Sequence, residues 1–143
     1  RDRIVSDPLK PCNLRSGKAE ILKEGSRLAV FCSGPLCYAA LQAAADLDGV
    51  AVVDLVYAKP LDTKTVRNVV KTCKGRFVVV EDGCVHGGVG SAVVETLHDL
   101  GHPLKFRLLG VPDAFVEHGP LSELRKSLGL DAAGIRKIVS ELL

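Results

Sequence analysis

Phe77-Val-Val-Val-Glu-Asp-Gly-Cys-Val-His-Gly-Gly-Val-Gly90 is the stretch that sets the fold class. Phe77–Val80 is a continuous apolar run of strand length and β-branched character, which suits a strand buried on both faces. Glu81-Asp82 ends it, and a glycine-rich loop then leads into a segment whose Val93, Leu97 and Leu100 recur at helical spacing. A strand that turns sharply into a helix is one half of a βαβ unit, the building block of a parallel sheet.

The same alternation extends on both sides. Upstream, Ala19–Leu22 is a short strand, Lys23-Glu-Gly25 a turn, and Leu28–Cys32 a buried strand. Cys37, Ala40, Leu41, Ala44 and Leu47 mark a helical face. Val50–Val56 is the next strand, and Asp62 caps a helix with Val66, Val69, Val70 and Cys73 inward. Downstream, Lys105–Leu109 reads as the fourth core strand. Two helices follow, with Leu121/Leu124/Leu128 and Ile135/Ile138/Val139/Leu142 as buried stripes and Asp131 as an N-cap. The expected fold is a three-layer α/β domain with a mixed, mostly parallel five-stranded sheet. Ala19–Leu22 joins Leu28–Cys32 through a tight turn and forms its antiparallel edge. Residues 1–18, polar and carrying Pro8 and Pro11, read as a linker or arm, so the domain proper is 19–143.

Composition narrows the function classes. The chain has 143 residues, enough for one core, with 47% hydrophobic and 25% charged residues. No apolar run approaches the ~20 residues of a membrane-spanning helix. The N-terminus is charged, with no signal-peptide character, and the absence of any Met points to a fragment or processed product. A net charge of +2 and 4% aromatics, with no basic stripe, give nucleic-acid binding little support. Five Cys (Cys12, Cys32, Cys37, Cys73, Cys84) form no C-x-x-C pair; the three in apolar segments behave as small hydrophobes. A reducing compartment is expected, cytoplasm or an organelle stroma.

Residue chemistry alone yields no convincing site. The Glu81–Gly90 loop sits where open α/β sheets bind ligands, at the carboxyl end of a parallel strand and a helix N-terminus. It lacks the Lys-Ser/Thr of a P-loop, and Val93 stands where a dinucleotide fingerprint has its third Gly. A tight turn is its first reading, a partner contact its second and ligand binding its third. Glu81 and Asp82 point to opposite faces and cannot work as a carboxylate pair; one is expected to cap a helix or loop. Cys84 and His86 have no second pair at zinc spacing, and nothing shows them to be a nucleophile–base pair. His118, beside Glu117, is far along the chain. His98 and His102 flank a helix end, where a cation suits the dipole. Tyr57 and Lys59 alternate with Val56 and Ala58, which places them together near the sheet's carboxyl edge as an interdomain contact.

Four blocks carry a resemblance. They are Gly17-Lys-Ala-Glu-Ile-Leu-Lys-Glu-Gly25, Asp54 through Lys59-Pro-Leu-Asp62, Glu81-Asp-Gly83 with Gly87-Gly-Val-Gly-Ser91, and a tail. The tail is Gly110-Val-Pro-Asp-Ala-Phe-Val-Glu-His-Gly119 with Gly129-Leu-Asp-Ala-Ala-Gly-Ile135. Together they resemble the C-terminal domain of the transketolase superfamily, and the tail points to its 1-deoxy-D-xylulose-5-phosphate synthase branch. Beta subunits of two-oxoacid dehydrogenases have close equivalents of the middle blocks. The sequence departs from the pattern at Val56, where a basic residue is usual, and at Ala58, Asp82 and Ala114.

The resemblance implies a parent transferase that condenses pyruvate, after decarboxylation, with glyceraldehyde 3-phosphate. Its product feeds isoprenoid, thiamine and pyridoxal synthesis. Thiamine diphosphate and magnesium would lie between the two preceding domains. This domain would supply no catalytic, cofactor-binding or metal-ligating residue, and its partners would be the preceding domains and a second subunit in a homodimer. The alternatives are an independent small-ligand or regulatory module, or a beta-type subunit of another transketolase-like or two-oxoacid dehydrogenase enzyme.

Overall fold

A computed structural model describes residues 17–101 and 103–143. The linker reading of 1–18 therefore falls almost entirely outside the described residues, as do Cys12 and His102. The elements are β1 (Glu20–Lys23), β2 (Leu28–Cys32), α1 (Leu36–Ala44), β3 (Val50–Asp54), α2 (Thr63–Thr72), β4 (Arg76–Cys84), α3 (Val89–Leu97), β5 (Lys105–Val111), α4 (Leu121–Ser127) and α5 (Ala132–Leu142). They form the expected five-stranded mixed sheet, in the order β1-β3-β2-β4-β5, with only β1 antiparallel.

Strand alternation builds the three layers. Leu28, Val30, Cys32, Val50, Val52, Val78 and Val80 face one way and are buried against Cys37, Ala40, Ala44, Ile135, Val139 and Leu142 of α1 and α5. Ala29, Phe31, Ala51, Val53, Phe77 and Val79 face the other way, against Val66, Val69 and Val70 of α2 and Val93 and Leu97 of α3. Because both faces are covered, the parallel strands lose the apolar–polar alternation of a half-solvated sheet.

Four expectations need correction. β1 is the antiparallel edge, but its partner is β3, not the β2 strand that follows it in sequence. Both edges of fully buried β2 are taken by β3 and β4, so the chain leaving β1 must cross the start of β3 to reach it. Gly25 makes that crossing: a Cβ there would stand 2.3 Å from the Ala51 nitrogen. The Gly49 carbonyl accepts from the amides of Ser26 and Arg27.

The β3 strand stops at Asp54, short of Val56. The Asp54 carboxylate accepts from the Val56 N–H at 2.8 Å, and Val56 turns into the left-handed region at φ 57°. Tyr57 and Lys59 therefore lie on a turn that includes a cis Lys59–Pro60 bond, and do not share a strand face. β5 is an edge strand with partly exposed side chains, not a core strand. Finally, α4 buries none of its residues, and Leu121 is 43% exposed.

Candidate functional site

The strand order reverses direction at β2. The chain goes from β2 to β3 on one side, then returns to β4 on the other. Open α/β sheets place ligands outside the carboxyl ends of the strands at such a switch point. Here those ends carry the Cys32–Leu36 connection, the Leu55–Pro60 turn, the Gly83–Gly90 loop and, beyond β5, the Pro112–Pro120 segment.

Glu81 organises this edge. It is 6% exposed, and its carboxylate accepts from the Val89 N–H at 2.8 Å and the Gly90 N–H at 3.1 Å. These amides belong to the first turn of α3, whose N-cap, Gly88, has no side chain to offer. An unsatisfied helix N-terminus favours an anion, and Glu81 supplies it from within the chain. Three glycines make room for it. A Cβ on Gly88 would stand 2.1 Å from Glu81 Oε2, one on Gly90 3.0 Å from Oε1, and one on Gly110 3.0 Å from its Cγ. The glycines that read as a ligand loop thus seat a side chain of the same chain. Two further loop amides are engaged: Ser91 Oγ accepts from the Gly87 N–H at 3.2 Å, and the Val85 N–H donates to the Val111 carbonyl at 2.9 Å.

Asp82 points away from Glu81, as strand geometry requires, and pairs with Arg125 of α4. The expected cap is Glu81. A buried acid at a strand end eight residues before a capless, glycine-led helix is the signal that identifies it. The Asp82–Arg125 tie and the Arg136–Asp46 pair between α5 and the end of α1 leave no trace in local spacing, since 43 and 90 residues separate the partners.

The other candidates stay apart. Cys84 and His86 are exposed at the loop. Glu117 and His118 are exposed on the Pro112–Pro120 segment, and His98 Nδ1 donates to the Glu95 carbonyl at 2.7 Å at the end of α3. Cys32 and Cys37 are fully buried thiols, and Cys32 Sγ donates to the Val53 carbonyl at 3.4 Å. The neighbouring Cys32 side chain, burial and nearby Asp54 push the Cys37 thiol far above its usual range, so it stays protonated. Asp62 is buried and accepts from the Thr65 amide, the Thr65 hydroxyl and the Ala19 amide. Burial pushes its carboxyl up. The hydrogen bonds from Thr65 and Ala19 and the charge of Lys18 outweigh that and hold it below the usual carboxylate range.

Among the described residues, no group of three His, Cys, Asp or Glu could hold a metal ion. With the first α3 amides already taken by Glu81, the Gly83–Gly90 loop does not fit a pyrophosphate. A cleft of about 160 Å³, lined by Ile21, Gly25, Ala51, Val69 and Thr72, lies at the opposite end of the sheet. No helix among the described residues is long and apolar enough to cross a membrane.

This edge also exposes two large apolar side chains. Phe115 is fully solvent-accessible, Val116 is 39% exposed, and every residue from Pro112 to His118 is exposed.

Comparison with known proteins agrees with this architecture. The family model for the transketolase C-terminal domain matches residues 17–135. The 1-deoxy-D-xylulose-5-phosphate synthase of Acidovorax ebreus (strain TPSY) is 45% identical over 125 residues, which cover 87% of this chain and 20% of that one. That of Magnetococcus marinus is 39% identical, covering 95% of this chain and 23% of that one. The chain therefore spans about a fifth of the length of these relatives. Among solved structures, a split gene transketolase described as an inactive beta4 tetramer superimposes with a TM-score of 0.77 at 30% identity. The match covers 89% of this chain and 41% of that one. Transketolase from Leishmania mexicana shares the fold, with a TM-score of 0.57 at 18% identity over 88% of this chain and 18% of that one.

Proposed function

Because the chain belongs to the transketolase C-terminal domain family, we propose that it is the packing domain of a 1-deoxy-D-xylulose-5-phosphate synthase. Such an enzyme condenses pyruvate with glyceraldehyde 3-phosphate for isoprenoid, thiamine and pyridoxal precursor synthesis. The observation that carries this reading is the 39–45% identity to synthases over nearly the whole domain. In it, thiamine diphosphate and magnesium are held by other parts of a longer enzyme, which assembles as a homodimer in the cytoplasm or a plastid stroma. This domain contributes no catalytic, cofactor-binding or metal-ligating residue. Its residues instead fix a rigid carboxyl edge: Glu81 locks the loop to α3, Asp82 ties α4 to the loop, and Asp54 closes the turn at Val56.

The small-ligand alternative is weakened by the same geometry, since Glu81 takes the amides an anion would need. A place in a divided, beta-type subunit is the second reading, favoured by the likeness to the split gene transketolase. The test is turnover: the 143-residue chain, given pyruvate, glyceraldehyde 3-phosphate, thiamine diphosphate and magnesium, should form no product. Measurable product would overturn the packing role.

A further inference from the structure

Cys32-Ser-Gly-Pro-Leu-Cys37 carries two thiols from the last residue of β2 into the first turn of α1. Both are fully buried, in the layer that β2 shares with α1. Strand pairing sets Cys32 opposite Asp54, and the neighbouring Cys32 side chain is the first influence on the Cys37 thiol, with Asp54 a lesser one. The turn that joins the two cysteines is the thin part of their cover. Gly34 and Pro35 are exposed, Ser33 is partly so, and the Pro35 N-cap makes no side-chain bond to α1. Two backbone bonds hold this turn, from the Cys37 N–H to the Gly34 carbonyl at 3.1 Å and from the Tyr38 N–H to the Pro35 carbonyl at 3.3 Å. Local opening of a helix turn held so lightly admits a small molecule without unfolding the core.

We propose that Cys32 and Cys37 are a reversible dithiol–disulfide site whose oxidant is hydrogen peroxide. Burial selects that oxidant: peroxide is small and uncharged, whereas exchange with a bulky disulfide needs an accessible sulfur. The Cys32 sulfur attacks one peroxide oxygen and loses its proton. The O–O bond breaks, the departing hydroxide takes up a proton as water, and Cys32 is left as a sulfenic acid. The Cys37 sulfur then attacks the Cys32 sulfur, forming the S–S bond and breaking the S–O bond. Cys37 keeps its proton at rest, and that proton leaves with the hydroxyl as a second water. The thiols are oxidised by two electrons and the peroxide is reduced by two. The disulfide ends the Cys32 hydrogen bond to the Val53 carbonyl and staples the first turn of α1 to β2. Cys73 is a control built into the fold, since it is also buried, pushed up to about 11 by burial alone, and lies in the other layer.

The test is peroxide treatment of a Cys12→Ser, Cys84→Ser variant, which leaves Cys32, Cys37 and Cys73, with circular dichroism confirming that the chain stays folded. Thiols are then alkylated after unfolding, and the protein is digested with trypsin. Cys32 and Cys37 fall on one peptide, because no Lys or Arg lies between them. That peptide should become two hydrogens lighter and lose both alkylatable thiols, and dithiothreitol should restore them. With Cys37→Ser added, the peptide should lose no hydrogens and gain oxygen at Cys32 instead. Two thiols that stay alkylatable in peroxide that has fully oxidised Cys84 of the parent chain overturn the proposal. Oxygen added to the peptide with no loss of hydrogens also overturns it, because the two sulfurs are then out of bonding reach. Loss of Cys73 as fast as the pair overturns it too, since peroxide then enters by unfolding and not through the turn. None of these outcomes touches the synthase assignment, which turnover decides.

Discussion

Glu81 shows how one side chain decides what a glycine-rich loop can do. Its carboxylate is the partner of two helix amides, so replacing it strands both in a buried site. Glu81→Ala should cost about 1–3 kcal/mol, read as a lower melting temperature. Glu81→Gln keeps the shape but turns a donor toward one amide, and should recover only part of that loss. If Glu81→Ala melts like the parent, the internal-anion account of the loop is wrong. Asp62 makes a pH prediction. Its folded pKa lies below the unfolded value near ~3.9, so it stabilises the fold above that pH and ceases to as pH falls through the folded value. Asp62→Ala should therefore cost about 1 kcal/mol or more at pH 7, and the gap from the parent should narrow below pH ~4. An equal gap at pH 7 and pH 3 would contradict this. Val56, β-branched at φ 57°, is strained by roughly 1–2 kcal/mol. Val56→Asn, which tolerates that backbone and keeps the amide bond to Asp54, should raise stability in urea titration, whereas a loss would show that Val56 packing outweighs the strain.

Among the elements, those that bury a periodic face were legible and those that do not were not. β2, β3, β4 and the inward faces of α1, α2, α3 and α5 follow from apolar runs and helical spacing, because burial on a parallel sheet imposes both. Asp62 and Asp131 were legible as caps, because capping is a local bond to the amide three residues on. The partner of β1 was not legible: sequence order favours a hairpin, and only the demand of β2 for two parallel neighbours sends β1 to β3. Gly25 carries that topology, so Gly25→Ala, whose Cβ meets backbone, should cost about 1–3 kcal/mol by chemical denaturation. A neutral effect would mean that the crossing is loose. The leucines of α4 misled for the opposite reason: their spacing is helical, yet Leu121 is exposed and Leu124 and Leu128 are only partly buried. The seat of Glu81 was half legible, since the cap could be foreseen but not the three glycines that converge on it from two separate segments.

At the scale of the whole molecule, two buried sheet faces coexist with a carboxyl edge where Glu81 holds the α3 N-terminus and Phe115 and Val116 are exposed. Here the first α3 amides are engaged by Glu81, and Phe115 and Val116 are exposed together with polar groups such as His86, Glu117 and His118. That combination fits the packing role proposed above, and the sequence relatives of this domain are 1-deoxy-D-xylulose-5-phosphate synthases. The most direct test is to exchange this chain for the corresponding domain of the Acidovorax ebreus synthase and measure turnover of pyruvate and glyceraldehyde 3-phosphate. The account predicts that the exchanged enzyme forms deoxyxylulose phosphate, because the chemistry lies elsewhere and only the packing must match. A folded exchange enzyme that forms none would contradict it.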